Sequence, residues 1–125
     1  PVGETMYGSW SEHWGRDAAA LVFERHPAVD GIVCGSDQIA RGVLETARDL
    51  GRSVPGDVAV VGYDDWQVLS TNSRPELTSV DANLQTLGRT AARAVFEAID
   101  GRAAAPGVHR LPVRLVIRGS TIQRR

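Results

Sequence analysis

The sequence predicts an α/β fold built on a parallel sheet, and two observations carry that expectation. The run Val58-Ala59-Val60-Val61 is apolar and mostly β-branched, ends at Gly62, and is followed at once by Tyr63 and the carboxylates Asp64 and Asp65. A second apolar run, Gly31–Cys34, passes in the same way into Gly35-Ser36-Asp37-Gln38. Stretches of helical periodicity separate these runs, as in sheets with right-handed crossovers. In open α/β sheets ligands sit outside the carboxyl ends of the strands, so both polar clusters stand where a small molecule would be held.

The elements follow in order. Ser9 and Glu12 have capping-box spacing, with Ser11 as the rival cap, and a helix is expected from there to about His26, where Pro27 stops it. Its expected apolar face is Trp14, Ala18, Leu21 and Val22. After the strand Gly31–Cys34, Ser36 or Asp37 caps a second helix with the stripe Ile39, Val43, Ala47 and Leu50, and Gly51 ends it. Residues 54–57 (Val-Pro-Gly-Asp) are a turn into the strand Val58–Tyr63. Residues 66–76 read as an irregular polar loop, followed by a short strand over Leu77–Val80. A helix over about Leu84–Asp100 carries the stripe Leu87, Ala91, Val95 and Ala98 and ends at Gly101. Residues 102–107 form a small-residue loop, and Leu111–Ile117 is a final strand region edged by Pro112.

Composition narrows the function classes. The 125 residues are one domain by length and suffice for a core. A formal net charge of −1 argues against a large nucleic-acid or membrane surface within this segment. The lone Cys34 cannot form an internal disulfide and reads as a small buried hydrophobe. His13, His26 and His109 lack metal-ligand spacing, so no metal and no cofactor is expected. No nucleophile–base pair or glycine-rich phosphate loop appears, so no catalytic residue is assigned. The arginines Arg89, Arg93, Arg102, Arg124 and Arg125 read as a solvated face and a frayed tail. The chain opens without a methionine at Pro1, and it is read as a piece of a longer protein.

Several stretches together carry a family resemblance: Ser36-Asp37-Gln38 opening a helix, Gly51…Val54-Pro55-Gly56-Asp57-Val58, Val61-Gly62-Tyr63-Asp64-Asp65, residues 74–80 (Arg-Pro-Glu-Leu-Thr-Ser-Val), Leu111-Pro112-Val113 and Arg118-Gly119-Ser120-Thr121. In this order and spacing the chain resembles the carboxy-terminal part of a LacI/GalR-family transcriptional regulator, from about Tyr7 to Thr121. The resemblance implies a three-layer, Rossmann-like lobe of the periplasmic-binding-protein-like type I fold. It implies a small-molecule effector, either a sugar or a related polyol or nucleoside. It also implies a homodimer, DNA contact only through an amino-terminal helix-turn-helix outside this chain, and a cytoplasmic location without membrane attachment. Residues 84–101 would pack on a first lobe that is also outside the chain. Their apolar stripe would otherwise dock on a neighbouring chain or swap.

By the same resemblance Trp10 falls on an aromatic that stacks on a sugar or base, Asp64 on a carboxylate that binds ligand hydroxyls, and Ser36 where the family often has asparagine. Serine is shorter than asparagine and lacks its planar amide. Ala82 falls near a further ligand-facing position, where its methyl offers no hydrogen bond. The residues themselves allow plainer roles. Asp64 and Asp65 are both suited to a turn, and adjacent side chains on extended backbone cannot point the same way. One is expected to face the cleft and the other to cap. Trp10 could pack against the lobe, and Ser36 or Asp37 serves as an N-cap. Trp66 could line the cleft mouth or pack at an interface. A periplasmic sugar-binding transport protein is the alternative function, and an enzyme on a doubly wound sheet is a weaker one.

Overall fold

A computed structural model describes residues 5–102 and 106–122. The elements run α1 (Glu12–Arg25), β1 (Gly31–Val33), α2 (Asp37–Asp49), β2 (Ala59–Tyr63), α3 (Gln67–Ser70), β3 (Thr78–Asp81), α4 (Leu84–Ile99) and β4 (Arg114–Val116). The four strands form one sheet in the order β1-β2-β3-β4. β1, β2 and β3 are parallel, with Val33 beside Val61 and Val61 beside Thr78, and β4 lies antiparallel to β3 with Val80 beside Leu115. The parallel-dominated α/β architecture is the one expected, and the antiparallel β4 corrects the all-parallel sheet. A parallel neighbour needs a crossover helix laid on the sheet. α4 has no buried residue and makes no such crossover, so the chain simply turns back beside β3.

The core lies between the sheet and the helices α1 and α2. Val58, Val60 and Leu77 meet Ala40, Val43, Leu44 and Ala47 of α2, with Ala19 and Phe23 of α1 and Cys34 behind them. Cys34 is thus the buried hydrophobe expected, and its burial pushes its thiol up to about 12. Helices cover this face of the sheet. On the other face Val33 is 82% exposed, and Tyr63 and Leu115 are also exposed.

Both caps and stripes needed adjustment. Ser11, not Ser9, caps α1, its Oγ accepting from the Trp14 amide at 3.1 Å, while the Ser9 hydroxyl only meets that of Ser11. The buried face of α1 is Gly15, Ala19 and Phe23, one position round from the stripe expected. The reason is how closely α1 and α2 cross. A Cβ on Gly15 would collide with the Ile39 carbonyl oxygen, and one on Gly42 with the Glu12 carbonyl oxygen. Small residues win this face because they let two backbones touch, and the larger Trp14, Leu21 and Val22 are left half-buried at its margins. The Thr46 hydroxyl secures the crossing by donating to the Arg16 carbonyl. α2 is buried both toward α1 and toward the sheet, so its buried set is wider than the single stripe, whereas Leu50 at its end is exposed.

Residues 66–76 are not wholly irregular, because they contain the short helix α3. They carry no apolar stripe from which a helix could be read, and hydroxyl contacts set the turn instead. Ser73 Oγ donates to the Leu69 carbonyl and Thr71 Oγ1 to that of Gln67. α4 was expected as a helix and is one, and Gly101 after it takes φ 71°. Its Leu84, Leu87, Val95, Phe96 and Ile99 are exposed. Residues 118–121 return into the lobe. Ser120 Oγ donates to the Val60 carbonyl and accepts from the Thr78 amide, and Thr78 Oγ1 accepts from the Arg118 amide. Among the described residues no helix is long and apolar enough to cross a membrane. Arg124 and Arg125 lie outside the described residues.

The crossing generates a prediction. Alanine exceeds glycine in helix propensity by about 1 kcal/mol. At Gly15, however, a methyl must push α2 away, and overpacking of this kind costs about 1–3 kcal/mol. Gly15→Ala should therefore lower the urea midpoint of unfolding. A raised midpoint would show that propensity outweighs contact and that the helices are not so close.

Candidate functional site

Because β1, β2 and β3 are parallel neighbours, their carboxyl ends meet along one edge of the sheet. The ladder continues past the strands, with the Cys34 amide donating to Val61 O at 2.8 Å and the Asp64 amide to Val80 O at 2.9 Å. Residues 34–37, 63–66 and 81–83 therefore lie side by side at this edge.

The four carboxylates there have distinct surroundings. Asp37, in the first turn of α2, is 1% exposed. Its Oδ1 accepts from Ser79 Oγ at 2.5 Å and its Oδ2 from the Trp66 amide at 2.7 Å. Burial pushes its pKa up, these two hydrogen bonds oppose the rise, and the charges of Asp64 and Asp65 add to it. Asp65 is the turn-capping member of its pair. Its Oδ1 is 2.7 Å from Arg118 Nη1 and accepts from Ser70 Oγ, and its Oδ2 accepts from Gln67 Nε2 at 3.1 Å. Asp81 accepts from the Asn83 amide and pairs with Arg114 at 3.2 Å.

Asp64 differs from the other three. Its carboxylate makes no hydrogen bond or ion pair to any described residue. The residue is exposed, yet adjacent protein strips enough water from the carboxyl to raise its pKa. Asp64 and Asp65 take φ 102° and 48°, positive values that residues other than glycine rarely hold. One aspartate is thus spent on the turn and the other is exposed, but on a backbone that is not the extended one the alternation argument assumes.

The remaining candidates can be placed individually. Trp10 is 70% exposed, and its ring lies over the end of β1, with Cζ3 3.4 Å from where a Cβ on Gly35 would stand. Trp14, by contrast, lies against Gly8. Ser36 is buried and caps α2, its Oγ accepting from the Ile39 amide at 3.3 Å. The cap assignment therefore falls to Ser36, and Asp37 instead joins α2 to β3 and to the Trp66 amide. Trp66 opens α3 with its side chain half in solvent. Trp10, Ser36 and Asp64 share the edge, and among the described residues no hydrogen bond or ion pair joins the Trp66 side chain to the other three. Asp81 and Arg118 escaped sequence reasoning. Asp81 was legible as a carboxylate ending a strand, whereas nothing local to Arg118 points to Asp65.

Among the described residues no cluster of three or more His, Cys, Asp or Glu could hold a metal. Two surface hollows lie away from the edge. One is lined by Arg41, Leu44, Glu45 and Arg48 of α2 with Asn72, Ser73 and Arg74, and the other by residues 71–76.

Asp37 supplies a test of this arrangement. In Asp37→Ala the Ser79 hydroxyl and the Trp66 amide lose their acceptor, which should cost about 1–3 kcal/mol for each group left buried. Because its folded pKa is raised, the contribution of Asp37 is fully present below the unfolded value of about 4 and is lost as pH rises through the folded value. The deficit of the variant should therefore be larger near pH 4 than near pH 7 by urea denaturation. A deficit that grows with pH would reverse the assigned sign.

Residues 3–121 match the family described as periplasmic binding protein-like domain. The chain is 36% identical to the HTH-type transcriptional regulator CelR of Thermobifida fusca, over 91% of this chain and 33% of that protein. It is 32% identical to catabolite control protein A of Priestia megaterium, over 91% of this chain and 34% of that one. It superposes on a transcriptional regulator CelR–cellobiose complex with a TM-score of 0.84 at 35% identity, covering 91% of this chain and 35% of that one. On a lac repressor dimer bound to operator and the anti-inducer ONPF the TM-score is 0.86 at 29% identity, covering 93% and 34%. The chain spans about a third of the length of these relatives. It belongs to the periplasmic binding protein-like domain family and is similar to the matching third of LacI/GalR-type transcriptional regulators.

Proposed function

We propose that this chain is the carboxy-terminal part of the effector-sensing and dimerisation domain of a DNA-binding transcriptional regulator. Its effector is a sugar or a related polyol or nucleoside, held at the carboxyl edge of the sheet. The observation that carries this reading is Asp64. Of the four carboxylates at the edge, it alone has no hydrogen-bond or ion-pair partner among the described residues, and it stands outward between the ends of β1 and β3. A carboxylate so placed accepts hydrogen bonds from paired hydroxyls, and the Trp10 ring beside Gly35 offers a flat apolar face to a sugar ring. Ser36 has a hydroxyl proton left to donate after capping. Trp66 lies at the mouth. A related regulator has been solved in complex with cellobiose, which supports the sugar class.

The rest of the assembly follows from the same reading. α4 presents Leu87, Val95 and Phe96 to solvent, and an exposed apolar stripe marks an interaction surface. A first lobe elsewhere in the polypeptide covers it and closes the cleft over the ligand. α2 and residues 66–75 form the dimer surface, and the hollow lined by Arg41, Arg48 and Arg74 lies on that side. DNA is reached through an amino-terminal helix-turn-helix, and the protein works in the cytoplasm. Ligand changes operator affinity to the extent that it binds one lobe arrangement better than the other. The relatives are transcriptional regulators rather than enzymes or transport proteins, and the transport alternative is set aside on that ground.

The test is equilibrium binding to the full polypeptide that carries this chain, followed by tryptophan fluorescence with cellobiose, maltose, glucose, ribose and a nucleoside. Asp64→Ala should weaken binding of the preferred compound by about 1–3 kcal/mol, roughly 5- to 150-fold. Undiminished affinity in a folded variant would remove Asp64 from the site. Failure to bind any of the five would sink the effector class.

A further inference from the structure

We propose that Arg118 is a positioning residue for the effector site, orienting the outward Asp64 carboxylate by gripping its neighbour Asp65. This inference rests on the reading of Asp64 given above. Arg118 and Asp65 form the most buried ion pair among the described residues, with side chains 11% and 7% exposed and Nη1 2.7 Å from Oδ1. The same guanidinium nitrogen donates to the Leu77 carbonyl at 2.8 Å, and residues 118–121 are stitched between β2 and β3 through Thr78 and Ser120. The cation therefore approaches from a rigid base.

Asp65 needs such an anchor. It and Asp64 both hold positive φ, a conformation that persists in residues other than glycine only where surroundings over-determine it. Three backbone amides of the turn are held, Asp64 by Val80 O, Asp65 by Ser79 Oγ and Trp66 by Asp37 Oδ2. Those bonds fix the chain path. The Asp65 side chain needs its own hold, which Arg118, Ser70 and Gln67 supply. With Asp65 held inward on Arg118, the path of this positive-φ turn leaves Asp64 exposed at the strand edge. Without the cation, a carboxylate buried under α3 would be left uncompensated, and the turn would relax to bring it to water. Asp64 would rotate with it. The pair also leaves Asp64 as the carboxylate of the turn that no cation neutralises.

A ligand-free measurement separates positioning from simple charge effects, because the two move Asp64 in opposite directions. Asp64 titrates above the ordinary carboxylate range because adjacent protein desolvates it. Its titration is followed by NMR with 13C-labelled aspartate in the full polypeptide, in wild type, Arg118→Met and Arg118→Lys. If Arg118 positions Asp64, the Met variant frees the carboxyl into water and its pKa falls toward the ordinary value, with the Lys variant between. Loss of a nearby positive charge without movement would raise the pKa, and a raised or unchanged value overturns the proposal. Should stranded Asp65 unfold the Met variant, Arg118→Lys decides alone: a fallen Asp64 pKa supports the role, and a raised or unchanged one overturns it. Sugar titration with the same panel is the second arm. Binding about tenfold weaker in Arg118→Met supports the role, and equal affinity opposes it. A wild type that binds none of the panel overturns the effector reading instead, and the Asp64 titration then decides the positioning role by itself.

Discussion

The Asp37 carboxylate ties together three elements of the carboxyl edge. One oxygen takes the Ser79 hydroxyl of β3 and the other the Trp66 amide at the start of α3, while its own backbone opens α2. The group is buried, and a buried charge survives only where hydrogen bonds replace its water. Gly62 makes room for it, since a Cβ there would collide with the carboxylate itself. The end of β2 is thereby set against the start of α2, and the edge where a ligand would sit inherits that geometry.

Around this anchor the charges divide their work. Asp65 and Asp81 face arginines contributed by the returning carboxy-terminal segment, Arg118 and Arg114. The segment crosses back beside β3 and supplies both cations to the same edge. Asp64 keeps its charge unpaired and outward. Buried side-chain polar atoms all find partners among the described residues, and this network achieves it largely with serine, threonine and aspartate.

Close contact is the second organising constraint. α1 and α2 touch backbone to backbone at Gly15 and Gly42, and the hydrophobic core sits beneath that crossing on one side of the sheet. The surfaces left apolar and open, α4 and the Val33–Tyr63 face of the sheet, lie outside this core. The chain spans about a third of these relatives' length, and exposed apolar faces of this kind mark interaction surfaces.

The sequence by itself determined the strands, the long helices, the glycine ends and the carboxyl edge, because each depends on a periodic or local signal. Val58–Tyr63 reads as a strand from its own side chains, and Ser36 as a cap from its place before a helical stripe. Tertiary structure alone decided which face of α1 is buried, the direction of β4, the existence of α3 and the different fates of Asp64 and Asp65. Those outcomes depend on partners far along the chain: Ile39 for Gly15, Ser79 for Asp37, and Arg118 for Asp65. Two adjacent aspartates look alike in sequence. Only an arginine 53 positions later, carried home by a strand that turns back without a crossover, separates the paired, structural carboxylate from the exposed one.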